Sequence, residues 1–193
     1  MNQRSGTLNR RQLFGAVFGS LPLSQAMSIE ATSTLPPVST IALSRMGFGP
    51  TPSAIAALNA LGADDTARLH AYIEQQLNPE SIDDSACDAR ITEEIFPTLN
   101  KSRSALWTEH KSVKGRAQRA PLDDMRRLKL LRAVHSKRQL VEVLTEFWHD
   151  HFSVDGSTSP VRSMLTAYDR DVIRPNILGN FRTFLDAILL LFR

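Results

Sequence analysis

Thiol chemistry is nearly absent from this chain: Cys87 is the one cysteine among 193 residues. A disulfide framework within the chain and any zinc site built on several thiolates are thereby excluded. No uninterrupted apolar stretch reaches the ~20 residues that a membrane-spanning helix needs. The most apolar helical pattern, about Asn180 to Phe192, is both too short and broken by Asp186. Strand signals are missing too, because β-branched residues are sparse and no run alternates apolar with polar residues convincingly. There is no Gly-x-Ser-x-Gly nucleophile elbow. Gly47-Phe48-Gly49 is too short for a phosphate cradle and lacks the lysine such a loop requires. What is present is an ordinary globular balance, 42% hydrophobic and 22% charged.

The first residues read as an address. Arg4, Arg10 and Arg11 stand in an N-terminus without acids, the uncharged stretch Leu13 to Leu23 follows, and Ser24-Gln25-Ala26 offers a small-x-small cleavage site. Arg10-Arg11-Gln12-Leu13-Phe14 adds the paired arginines of a twin-arginine signal. Residues 1–26 are therefore expected to be an export signal that directs the protein to the periplasm or beyond. A retained basic amphipathic helix is the other reading. Without that segment the remaining chain has as many acids as bases, so the net charge of +3 belongs to the signal and is no argument for nucleic-acid binding. A single cysteine suits an oxidising compartment, where it leaves no wrong disulfide to form within the chain.

After a Ser-, Thr- and Pro-rich leader over 27–40, with the helical pattern already beginning at Val38, the sequence predicts an all-α, multi-helix, bundle-like domain over 41–193. Helices are expected over Val38–Met46, from Pro52 to Leu61 behind a Thr51 cap, and from Asp64-Asp65 to before Pro79. Others are expected over Asp83–Phe96, Leu99–His110, from Pro121 through Val134, and over Lys137–Phe152, Val161–Arg174 and Asn180–Phe192. The last of these is apolar nearly all round and ends without a cap, which suggests a core helix of a larger domain. The chain is expected to be an N-terminal portion, inactive by itself.

Charge is uneven along the chain. Residues 30–100 hold ten acids and three bases, residues 101–138 three acids and twelve bases, and residues 139–193 seven acids and five bases. An acidic region docking on a basic middle accounts for this. Alternatively, His110 to Arg119, hinged at Gly115, is a basic loop that meets an acidic envelope polymer or surface. Nucleic acid is not expected, because no aromatic residues interleave the basic ones.

Three segments are distinctive: Leu43-Ser44-Arg45-Met46-Gly47-Phe48-Gly49-Pro50-Thr51, then Phe147-Trp148-His149-Asp150-His151-Phe152, then Tyr168-Asp169-Arg170-Asp171-Val172-Ile173-Arg174-Pro175 continuing to Leu178-Gly179-Asn180-Phe181-Arg182. Together and in this order they resemble the bacterial domain-of-unknown-function family 1800, over about Ile41 to the end. The resemblance implies a mostly helical fold, frequent export and no established activity. Members often carry His where this chain has Asn176, and they are usually more than twice as long.

Two constellations carry candidate chemistry. Glu146-Phe147-Trp148-His149 is a Glu-x-x-His unit, a spacing that sets a carboxylate and an imidazole on one helix face, as in carboxylate-bridged metal sites of bundles. His151 joins Glu146 and His149 as a third candidate ligand for a divalent metal. The two histidines lie about 200° apart on an ideal helix, so sharing one ion requires the helix to end or distort there. The alternative makes His151 a core histidine, on the face of Leu140, Leu144, Phe147 and Trp148, and His149 a surface one paired with Glu146 or Asp150. The second constellation, Asp169, Arg170, Asp171 and Arg174, is either an ion-pair network that fixes the turn before Pro175 or an anion site. The functions left open are a metal-dependent, hydrolase-like envelope enzyme when full length, and a non-catalytic periplasmic scaffold with an envelope protein as its partner.

Overall fold

The structure, a computed structural model, describes residues 35–92 and 94–191. The expected export segment and the beginning of the leader lie outside the described residues. Within them all regular structure is helical and no strand occurs.

The first three helices form where their caps stand. Helix α1 spans Val38–Met46 and stops at Gly47. Helix α2 spans Pro52–Asn59, with Thr51 Oγ1 accepting from the Ala54 amide at 3.1 Å. Helix α3 spans Asp65–Leu77 and is capped by Asp64, whose Oδ1 accepts from the Ala67 amide at 2.9 Å. Each such cap satisfies one orphan donor and is worth about 1 kcal/mol. The three helices share a small core of Ala42, Leu43, Leu58 and Tyr72.

The helix expected over Asp83–Phe96 is reduced to α4, Ser85–Asp88, followed by turns. Its natural cap is engaged elsewhere: Asp84 is buried and accepts from Ser136 Oγ and from the Lys137 amide, both at 2.7 Å. Helix α5 spans Arg103–His110, shorter than the expected Leu99–His110, because its capping hydroxyl is Ser102.

Helix α6, Arg116–His135, begins five residues before the expected start at Pro121 and carries that proline inside. An interior proline lacks the N–H that would reach the carbonyl four residues back. That carbonyl belongs to Ala117, and His110 Nδ1 lies 2.7 Å from it. The buried imidazole thus replaces the missing donor, with the proton placed on Nδ1 by this contact, and the helix continues.

Helix α7 spans Gln139–His151 without a local side-chain cap. Its start is held from a distance by buried Gln76 of α3, whose Oε1 accepts from the Leu140 amide (3.1 Å) and whose Nε2 donates to the Lys137 carbonyl (3.0 Å). Helix α8, Ser159–Tyr168, lies along α6 and runs on through a π turn, Asp169–Ile173, into the short α9, Arg174–Asn176. Helix α10, Phe181–Leu191, closes the described chain. Tyr168, Val172, Ile173, Phe184 and Ile188 form the larger core, with Trp148 and Phe152 packed against it. The outer side of α10, with Phe181, Leu185 and Leu189, is exposed.

Candidate functional site

The three distinctive segments meet around α7 and the π turn. The Gly47-Phe48-Gly49 loop docks on the start of α7, where the Phe48 amide donates to Gln139 Oε1 at 3.1 Å. A Cβ at Gly47 would stand 3.0 Å from that same oxygen, so the close approach favours glycine. Phe147 through His151 end α7 with Phe152 just beyond, and Tyr168 and Arg174 flank the π turn that packs on it.

At the centre lies a buried charge network. Asp169 is 1% exposed and Glu142 8%. Arg174 forks between them: Nε donates to Asp169 Oδ2 at 2.7 Å, and the two terminal nitrogens donate to the two Glu142 oxygens at 2.9 and 2.7 Å. His149 Nε2 lies 2.9 Å from Asp169 Oδ1. Arg132 from α6 approaches Asp169 Oδ2 at 3.7 Å, and its nearest guanidinium nitrogen is buried with no hydrogen-bond partner among the described residues.

The π turn makes this geometry. Residues five apart on an α-helix point about 140° away from each other. The i to i+5 bond from the Arg174 amide to the Asp169 carbonyl brings these two side chains onto one side. Burial alone would push the Asp169 carboxyl up, but its bonds with His149 and Arg174 and their charge outweigh this and hold it at about 2. For Arg174 burial opposes the charge as well, yet the carboxylates of Glu142 and Asp169 keep its pKa above the ordinary arginine value. Burial and the neighbouring Arg174 charge lower that of Arg132.

The residues of the two candidate constellations are placed as follows. Of the metal candidates, His149 is partly buried against Asp169, Glu146 faces Lys129 at 3.4 Å, and exposed His151 stacks on Phe147 with ring centroids 5.7 Å apart. The three side chains thus go to three different partners. Among the described residues no group of three or more His, Cys, Asp and Glu is arranged to hold a metal ion. The expected roles of the histidines are exchanged, since His149 is the partly buried one, turned inward, and His151 the exposed one. Phe147, expected on the buried face, is 53% exposed. The reason is charge: the face that turns inward presents Glu142 and His149 to the arginines.

The four ion-pair candidates divide into two groups. Asp169 and Arg174 belong to the buried network. Arg170 clasps Asp171 (Nε to Oδ1 2.6 Å) and donates to the carbonyls of Leu99 and Lys101, while Arg103 reaches Asp171 at 3.1 Å. Asn176 Nδ2 donates to the Val172 carbonyl at 2.7 Å and so stabilises the turn.

Glu142 and Arg132 complete the network, although neither belongs to the two candidate constellations. Glu142 stands seven residues before His149, two turns along one helix face, and that spacing is a readable signal; nothing local marks Arg132. The Cys87 thiol is buried and its pKa is pushed up to about 11, chiefly by that burial, which deprives it of nucleophilic character at neutral pH. The cavity bordered by Phe48, Lys129, Glu142, Thr145, Glu146 and Arg174 has a volume of about 10 Å³, room for one water at most.

A protein-family model described as "Protein of unknown function (DUF1800)" matches residues 41–190. No curated protein and no solved structure matches the chain.

Proposed function

The chain belongs to the DUF1800 family of proteins of unknown function, and we propose that it is an exported, non-catalytic helical binding module of the cell envelope. One observation carries the non-catalytic part. The polar side chains of its distinctive segments are spent on each other: Arg174 holds both Glu142 and Asp169, and Asp169 also holds His149. A catalytic constellation leaves a nucleophile, base or ligand facing a space where substrate can sit. Here the adjoining cavity holds at most one water. The export part is supported by Arg10-Arg11, the uncharged Leu13–Leu23 stretch and Ser24-Gln25-Ala26.

Two measurements test the reading. In a bacterial host with a twin-arginine pathway, fractionation is expected to find the protein outside the cytoplasm and an Arg10→Lys/Arg11→Lys variant inside it. Elemental analysis of the purified protein, before and after equilibration with zinc, manganese and iron salts, is expected to find no stoichiometric metal. A stoichiometric ion that is lost on Glu146→Ala or His151→Ala substitution would overturn the non-catalytic reading and favour a metal-dependent enzyme instead.

A further inference from the structure

Away from the buried network, an open cleft of about 480 Å³ lies between the start of α6 and α8, lined by Gly115, Arg116, Gln118, Arg119, Asp123 and Arg162. Its volume lies within the range of small-molecule sites.

One wall is held by a chain of hydrogen bonds. Arg162 donates through Nε to the Gly156 carbonyl at 3.0 Å, through one terminal nitrogen to Gln118 Oε1 at 3.3 Å, and through the other to the Ser157 carbonyl. All three acceptors are neutral, so the guanidinium is oriented without forming an ion pair with any described residue, although its charge adds to the Ser157 hydrogen bonds that lower the pKa of the Asp155 carboxyl. Gln118 is fixed in turn, its Nε2 donating to Ser159 Oγ at 3.1 Å, and that hydroxyl donates to the Lys111 carbonyl at 2.5 Å. This chain of bonds ties the start of α6 to the start of α8 across the cleft. Arg116 and Arg119 are exposed and form no ion pair with any described residue. The N-terminus of α6 has no side-chain cap, and its flanking Gly115 has open space where a Cβ would stand.

Three guanidinium groups and one carboxylate, Asp123, line the cleft, so its lining is positively charged, with the Asp155 carboxylate that Arg162 helps to stabilise offsetting part of that excess. A phosphate monoester carries nearly two negative charges at neutral pH and three acceptor oxygens, and arginine forks match those oxygens in geometry. Asp123 would repel a ligand anionic throughout but accepts hydrogen bonds from hydroxyl groups. We propose that this cleft binds a sugar phosphate monoester, with the phosphate on Arg116, Arg119 and Arg162 and a sugar hydroxyl on Asp123. This site is separate from the buried network and stands whether or not the module is catalytic.

Isothermal titration of the full chain at low ionic strength tests the assignment, with glucose 6-phosphate, its methyl phosphodiester, inorganic phosphate and glucose as probes. Glucose 6-phosphate is expected to bind most tightly, the diester and inorganic phosphate more weakly, and glucose not measurably. Arg116→Gln/Arg119→Gln is expected to weaken glucose 6-phosphate at least about tenfold, the size expected for lost charge-assisted hydrogen bonds. Asp123→Asn is expected to abolish the preference for glucose 6-phosphate over inorganic phosphate. The thermal transition of each variant checks that the fold is retained, and both arginines are exposed. Failure of glucose 6-phosphate to bind at millimolar concentration would overturn the proposal. So would unchanged affinity in the arginine double variant, or equal affinity for inorganic phosphate or the diester.

Discussion

Arginine serves two opposite purposes in this molecule. Around α7 and the π turn, Arg132 and Arg174 are mostly buried and face Glu142 and Asp169. At the start of α6, Arg116 and Arg119 are exposed and face solvent, and Arg162 is bonded only to neutral oxygens. In the first region charge is matched inside the protein, and its effect is to fix how α6, α7 and the π turn sit together. In the second, charge is arranged by the protein without ion pairs among the described residues. The distinctive segments contribute to the first region, and the ligand-accessible chemistry lies in the second.

The largest effect that can break this comparison comes from removing one partner of the buried network. Asp169→Asn leaves Arg132 and Arg174 with only Glu142 between them. Breaking a buried pair from one side typically costs about 3–5 kcal/mol. Urea unfolding of the variant is expected to show a loss in that range. A loss below about 1 kcal/mol, the range of exposed ion pairs, would mean that the two regions do not differ in the way described.

Acid supplies a graded version of the same perturbation. Asp169 is depressed to about 2, so its contribution is fully present above the ordinary aspartate pKa of about 4 and is lost as pH falls from there through about 2. For a depression of this size the linked stabilisation is on the order of 2 kcal/mol. Unfolding free energies measured down this pH window are expected to fall in the parent and to fall less steeply in Asp169→Asn. Equal slopes would assign the acid sensitivity to other carboxylates.

Much of this architecture is legible in the sequence, and the parts that are not share a cause. Thr51-Pro52 and Asp64-Asp65 announce helix starts because the cap and the helix are neighbours in the chain, and the structure places both caps as read. The start of α7 is different, since its cap comes from Gln76, more than sixty residues away. Helix α6 is misread for the same reason: Pro121 marks a start by local rules, but His110 supplies the donor that lets the helix run through it. Within the candidate site, the Glu142–His149 face is readable from spacing. The pairing of Asp169 with Arg174 is not, because five residues fit one face only in a π turn and no local residue signals that turn. The exchange of His149 and His151 between interior and surface follows from it.

The His110 contact lies between the two regions in expected size, and it sharpens the comparison because it holds the end of α6 that carries the cleft. His110→Phe fills the site but leaves the Ala117 carbonyl without a donor, a loss expected to cost about 1–3 kcal/mol. In a Pro121→Ala background the restored amide can reach that carbonyl, so the same substitution is expected to cost less. A double-mutant cycle on urea midpoints measures the coupling. Additive losses would show that His110 does not stand in for the missing amide.

The smallest expected effect is the most discriminating for the cleft. Arg116→Gln/Arg119→Gln removes two exposed charges that form no ion pair with any described residue. Surface substitutions away from specific partners usually change stability by no more than about 0.5 kcal/mol. Positive charge near the uncapped N-terminus of α6 also opposes the helix dipole, so the expected change is a slight stabilisation. A chemical-denaturation midpoint that rises slightly or stays in place would show that these arginines do not hold the fold. A loss of several kcal/mol would make them structural like Arg174, and the contrast between the two regions would disappear.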